Sequence, residues 1–202
     1  EAVAARVTHA LPELKAAPYY GCILNRPPEI AQFDDPENPV SMDKIISALG
    51  VEVCDFAFKM ECCGAAFGVP KKDMVNQLTY KVLSMAVDSG ANCIAVACPL
   101  CQQNLDLRQS QVNSLMGSSF DIPIIYFSQI MGLAFGFSPK ELAMDKLVVS
   151  ADRIISRMPI EDYRKAKAEQ EAAAKVKKPK KEKVERAETA EAKEETTSEE
   201  KE

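Results

Sequence analysis

Cys93-Ile94-Ala95-Val96-Ala97-Cys98-Pro99-Leu100-Cys101-Gln102 decides the fold of this chain. Its first six residues are an unbroken apolar run, the pattern of a short strand covered on both faces. Pro99 cannot continue a ladder, but its fixed φ suits the first turn of a helix. A buried strand turning directly into a helix is half of a βαβ unit, and Cys98 and Cys101 stand at that turn.

The same alternation extends outward. Tyr19–Leu24 is predicted to be a strand, followed by a long Pro/Asp/Asn loop between Pro27 and Pro39. Ser41 is predicted to cap a helix with Ile45, Ile46 and Leu49 on its apolar face, stopped by Gly50. A strand is expected over Val51–Phe58, then the loop Glu61-Cys62-Cys63-Gly64, then a helix over Asp73–Ser89. After Pro99 a helix should run to about Leu115, with a strand at Ile122–Phe127 and a helix near Ser128–Phe135. Short helices are expected from Pro139 and Glu141, and over Ala151–Arg157. Strands alternating with helices imply an α/β, Rossmann-like fold with a mainly parallel sheet.

Composition narrows the function. The 202 residues carry a formal net charge of −5, 47% hydrophobic residues, one histidine and seven cysteines. The mild acidity argues against nucleic acid as main partner, since phosphate binding needs a basic face. No apolar run is long enough to span a membrane. The start, Glu1-Ala2-Val3-Ala4-Ala5-Arg6, has neither the basic nor the apolar region of a signal peptide. It also lacks an initiator methionine, so residue 1 is read as not being the biological start. From Lys165 to Glu202 eleven Lys/Arg face eleven Asp/Glu with no aromatic residue, so a disordered, solvated tail is expected there. The expected division is a lead-in segment at 1–16, a cysteine-rich domain at 17–160, and a helical extension passing into tail at 161–202.

An odd cysteine count without a secretion signal makes a disulfide framework the weaker explanation; metal ligation or thiol chemistry is the stronger. Cys98-x-x-Cys101 by itself is ambiguous between a thioredoxin-like redox pair, half of a zinc site and an iron–sulfur ligand pair. A helix N-terminus favours the thiolate in each case. Cys62-Cys63 adds adjacent thiols whose side chains diverge, followed by Gly64, which permits a positive φ. Cys22, Cys62-Cys63 and Cys98/Cys101 each lie late in a predicted strand or just beyond one, so three segments bring thiols to one sheet edge. Five thiols exceed the four a zinc ion takes and fit a larger iron–sulfur assembly better. Cys54 and Cys93 are expected to be small core residues, and His9 a surface or packing residue.

With thirty-nine residues between Cys22 and Cys62-Cys63-Gly64, and thirty-four between Cys63 and Cys98-x-x-Cys101, the pattern resembles the CCG cysteine-rich domain. The flanking Tyr20-Gly21-Cys22, Asn25-Arg26-Pro27, Phe33–Pro39, Leu49-Gly50, Leu105-Asp106, Ile122-Pro123-Ile124, Gln129 and Leu133–Gly136 also resemble the B subunit of heterodisulfide reductase and its relatives, over roughly residues 15–157. The resemblance implies that Cys22, Cys62, Cys63, Cys98 and Cys101 ligate one noncubane [4Fe-4S] cluster. It implies a cytoplasmic oxidoreductase that reduces a disulfide of the coenzyme M–coenzyme B type. Electrons would come from a flavin-containing A subunit by way of an iron–sulfur C subunit. Two departures are notable. Only one CCG motif is present, of the kind in the second half of the B subunit, so a fragment or split subunit is expected. Ile23 also stands where relatives often carry histidine. The alternatives are a non-catalytic electron-transfer subunit and a zinc-binding interaction module.

Overall fold

The computed structural model describes residues 2–156. Strands β1 (Lys15–Tyr19), β2 (Glu52–Val53), β3 (Cys93–Val96) and β4 (Ile124–Tyr126) form one sheet in the order β2-β1-β3-β4, every pair parallel. The crossovers carry α1 (Pro28–Ala31), α2 (Ser41–Ala48), α3 (Lys72–Asp88), α4 (Pro99–Leu107) and α5 (Gln109–Met116). After β4 come α6 (Phe127–Ala134) and α7 (Asp152–Ile155). The expected α/β architecture is thus the observed one.

Period-two alternation distributes the strands between two cores. Ala16, Cys93, Ala95 and Ile125 pack against Met42 and Ile46 of α2 and Ile130, Leu133 and Ala134 of α6. Ala17, Tyr19, Ile94, Val96 and Ile124 face the other way, onto Val82, Leu83 and Ala86 of α3 and Leu105 of α4. Both faces of β3 are therefore covered, which is why all four of its residues are fully buried. Among the described residues no helix is long and apolar enough to cross a membrane.

The first strand lies earlier than Tyr19–Leu24. It is Lys15-Ala16-Ala17-Pro18-Tyr19, and at Gly21, with φ +73°, the chain leaves the ladder. Pro18 sits in this inner strand without cost to the pairing. Ala16 O accepts from Cys54 N on the β2 side, so Pro18, two residues on, turns its missing N–H to the same side. There β2 has already ended at Val53. The strand expected over Val51–Phe58 is accordingly only two residues long.

Ser41 is the first residue of α2 rather than its side-chain cap. The free N–H groups are met from a distance. Asp34 Oδ2 accepts from Val40 N at 2.8 Å and Ser41 N at 2.6 Å, and the Tyr20 hydroxyl accepts from Met42 N at 2.8 Å. The helix after Pro99 is broken at Arg108 into α4 and α5. The segment after Pro139 forms turns and a 3-10 turn at Met144–Lys146 rather than an α-helix, and α7 is shorter than expected. The lead-in packs on the domain: Thr8 N donates to Ala134 O at 2.8 Å and Leu11 N to Leu49 O at 3.2 Å. His9 Nδ1 lies 3.0 Å from Thr8 Oγ1. The extension and tail expected at 161–202 lie outside the described residues.

Candidate functional site

β1 and β3 are neighbours whose crossovers leave towards opposite edges of the sheet. The crevice beyond the carboxyl ends of two such strands is where open α/β sheets bind their ligands. Tyr19, at the end of β1, is fully buried. Its ring meets Phe56 edge-on at 6.3 Å, and its hydroxyl donates to Glu61 O at 2.6 Å. This ties the end of β1 to the residue just before Cys62. Tyr20 N and Gly21 N both donate to Lys59 O at 3.0 Å, so the segments bearing Cys22 and Cys62-Cys63 are joined along their backbones too.

Four of the five predicted site sulfurs meet in two pairs. Cys22 Sγ and Cys62 Sγ are 3.8 Å apart, and Cys63 Sγ and Cys101 Sγ are 3.6 Å apart. Cys98 is the N-cap of α4 and lies beside Cys101. All seven cysteines are free thiols. The sulfurs range from exposed (Cys22) through half-buried (Cys62, Cys98) to buried (Cys63, Cys101), so the site has a floor and an open side. Among the described residues no three His, Cys, Asp or Glu side chains are grouped tightly enough to hold a single ion.

The thiols differ in acidity. A hydrogen bond from the Cys101 thiol, helped by Ala65 N–H, holds Cys63 down at about 6 although burial opposes them. Cys101, the donor in that pair and itself buried, is pushed up. The phenol of Tyr126, at the end of β4, is raised by burial and by the nearby Cys98 and Cys101.

Two glycines shape the space. A Cβ on Gly21 would lie 3.0 Å from Cys101 Sγ, so its absence leaves a hollow over that sulfur. Gly64, with φ +82°, lies against Val75 of α3, where a Cβ would come within 3.2 Å of backbone, and its N–H donates to Cys62 Sγ at 3.3 Å. An all-sulfur donor set, a position over Cys101 with no side chain and an N–H aimed at a sulfur fit a thiolate-bound inorganic group.

The other two cysteines lie apart from these. Cys93 is fully buried at the start of β3, with its sulfur 3.8 Å from Lys15 O, and Cys54 is buried just after β2. Cys93 belongs to the core, and neither approaches a third potential ligand closely enough to form a metal group.

Sequence reasoning misses the polar residues behind the site. Thr79, Asn104 and Arg108 form a largely buried chain of hydrogen bonds beneath the Cys62–Gly68 loop. The sequence carries one signal of them: Asn104 interrupts the apolar face of α4 one turn after Cys101.

Residues 16–106 match the family model of the cysteine-rich domain, CCG. The chain is 35% identical over 149 residues to the B subunit of the ferredoxin:CoB-CoM heterodisulfide reductase of Methanosarcina mazei, covering 72% of this chain and 49% of that protein. It is 33% identical over 154 residues to the 8-methylmenaquinol:fumarate reductase membrane anchor subunit of Wolinella succinogenes, covering 76% of this chain and 54% of that protein. The chain thus spans about half the length of these relatives. A crystal structure of a hypothetical protein from Helicobacter pylori shares the fold, with a TM-score of 0.55 at 10% identity over 72% of this chain and 26% of that one. With its thiols at the carboxyl edge of a parallel sheet, this chain belongs to the CCG cysteine-rich domain family through residues 16–106, and its relatives are subunits of reductases.

Proposed function

We propose that this chain is an iron–sulfur redox subunit in which Cys22, Cys62, Cys63, Cys98 and Cys101 hold one cluster as thiolates. The observation that carries this is the pairing of Cys22 with Cys62 and Cys63 with Cys101 at the carboxyl edge of β1 and β3. Two separated sulfur pairs, with Cys98 beside the second, suit a group with several irons better than a single zinc ion. The proposed group is a noncubane [4Fe-4S] cluster, which when bound supplies one-electron transfer at this edge.

The chain's own residues set its surroundings. Gly64 N–H steadies the Cys62 sulfur, and the positive end of α4 lies at Cys98. Tyr19, Phe56 and Leu105 belong to the dry core on the inner side, while Cys22 leaves the outer side open to a small substrate or a partner. The proposed reaction is reduction of a disulfide of the kind named in the methanogen relatives. Partners of the flavin (A) and iron–sulfur (C) types would supply the electrons, in the cytoplasm.

Protein purified without oxygen should be brown and contain both iron and acid-labile sulfide. Stoichiometric zinc in their place would overturn the cluster assignment. A second reading, an electron-transfer subunit with no disulfide substrate, is favoured by the similarity to one component of a fumarate reductase complex. Disulfide-reducing turnover with partner subunits supports the first reading; electron transfer without it supports the second.

A further inference from the structure

We propose that Asn104 is a positioning residue of this site, orienting the Cys63–Gly64 peptide so that its N–H points at the Cys62 sulfur, with Arg108 holding Asn104 in place. The inference rests on the cluster assignment above only for its redox readout. Its geometry stands on the protein alone.

Cys101 and Asn104 lie on α4 and Arg108 is its C-cap, at intervals of three and four, and so the three share a face. Asn104 Nδ2 donates to Cys63 O at 3.0 Å and to Thr79 Oγ1 at 3.0 Å. Thr79 Oγ1 donates onward to the same Cys63 O at 3.4 Å. Asn104 Oδ1 accepts from Arg108 Nε at 2.8 Å. Both amide hydrogens and the amide oxygen are thereby engaged, and a flipped carboxamide would set oxygen against oxygen at Cys63. Arg108 Nη2 also donates to Gly68 O at 3.0 Å, holding the far end of the loop. A Cβ on Gly68 would fall 2.8 Å from that nitrogen, so the guanidinium lies across a position with no side chain.

Cys63 O and Gly64 N–H belong to one planar peptide, and in the trans form they point in opposite directions. Fixing the carbonyl towards Asn104 and Thr79 therefore aims the N–H the other way, at Cys62 Sγ, 3.3 Å from the nitrogen. Asn104 is 7% exposed and Thr79 fully buried. Polar groups in a core are retained where they hold something in place, and hydrogen bonds to ligand sulfurs tune iron–sulfur potentials.

Asn104→Asp is the direct test. It keeps an acceptor for Arg108 but replaces the donor to Cys63 O with an oxygen. In metal-free protein, the Gly64 amide should exchange about tenfold faster with solvent, the scale expected for one lost hydrogen bond. In loaded protein the midpoint potential should fall, because the reduced, more negative state loses an N–H donor. Gln111→Ala, which removes only an outer contact of Arg108 Nη1, should change neither. If Asn104→Asp does not fold, Arg108→Gln gives the same readout, with faster exchange at Gly64 and in the 68–69 segment. Unchanged Gly64 exchange in a folded variant overturns the proposal, as does an unchanged potential. Absence of iron from the wild type overturns the cluster assignment instead, and the exchange result still decides the role of Asn104.

Discussion

Cys63 Sγ and Cys101 Sγ stand 3.6 Å apart across 38 positions of sequence, and their acidities move in opposite directions. The thiol that receives the hydrogen bond is the stronger acid. In metal-free protein one thiolate should form near pH 6, read from ultraviolet thiolate absorbance. Cys101→Ala removes the donor, so the Cys63 titration should move up towards the ordinary thiol range. A first titration in the ordinary thiol range in the unmodified protein would contradict this pairing.

Gly21→Ala and Gly117→Ala form a matched pair. Both glycines have positive φ, +73° and +65°, so each substitution carries a left-handed backbone cost of roughly 1–2 kcal/mol. Around Gly117 a Cβ meets nothing within 4 Å, whereas at Gly21 it reaches Cys101 Sγ at 3.0 Å. Thermal melting should show similar destabilisation in both, with iron content reduced only in Gly21→Ala. Equal iron in the two would remove Gly21 from the site.

Asp34 gives the fold an acid-sensitive joint. Partial burial works to raise its carboxyl, but the N–H groups of Ser41, Asp35 and Val40 outweigh it and hold the value down at about 2. A carboxyl lower in the folded than in the unfolded chain stabilises the fold above its unfolded value, about 4. That contribution is lost as the pH falls towards about 2. Asp34→Asn should therefore melt lower than the parent at neutral pH, and the difference should shrink across this window. A difference independent of pH would assign the effect to packing.

Asp106 anchors the last described segment to α4. It is 4% exposed, and its two oxygens accept from Val148 N at 2.9 Å and Val149 N at 3.0 Å. Asp106→Ala leaves two N–H groups without their acceptor and should cost about 2–4 kcal/mol in denaturant unfolding. Cys93→Ala, which deletes one buried sulfur from the core, should cost about 1 kcal/mol and leave any cluster absorbance unchanged. Loss of absorbance in Cys93→Ala would show that the ligand set is wrong.

What can be foreseen from sequence is what depends on near neighbours. The apolar run of β3, Pro99 at the first turn of α4 and the spacing of the thiols all express local rules, and the parallel sheet follows from them. β1 lies away from its expected place because Lys15, Ala16, Ala17 and Pro18 have little strand preference. Only their position between β2 and β3 makes them a strand. The cap of α2 is hidden from sequence because the acceptors come from Asp34 and Tyr20, the latter 22 positions from Met42. Asn104 shows in sequence only as a polar break in the apolar face of α4, and its role is hidden because its partner, the Cys63 carbonyl, is 41 positions away.

The register of β1 on β3 sets Tyr19 beside Val96 at the carboxyl end of both strands. Cys22 lies three residues beyond Tyr19 and Cys98 two beyond Val96, so the ladder delivers these two thiol-bearing segments to the same edge of the sheet. On the proposed cluster assignment, folding and loading are then separate events. A zinc finger gains its order from its metal, whereas here the entropy of gathering the thiols is met by two buried cores. The empty domain should melt cooperatively before any iron is supplied. Loading of the proposed cluster would then be governed by access through the open side at Cys22 rather than by refolding.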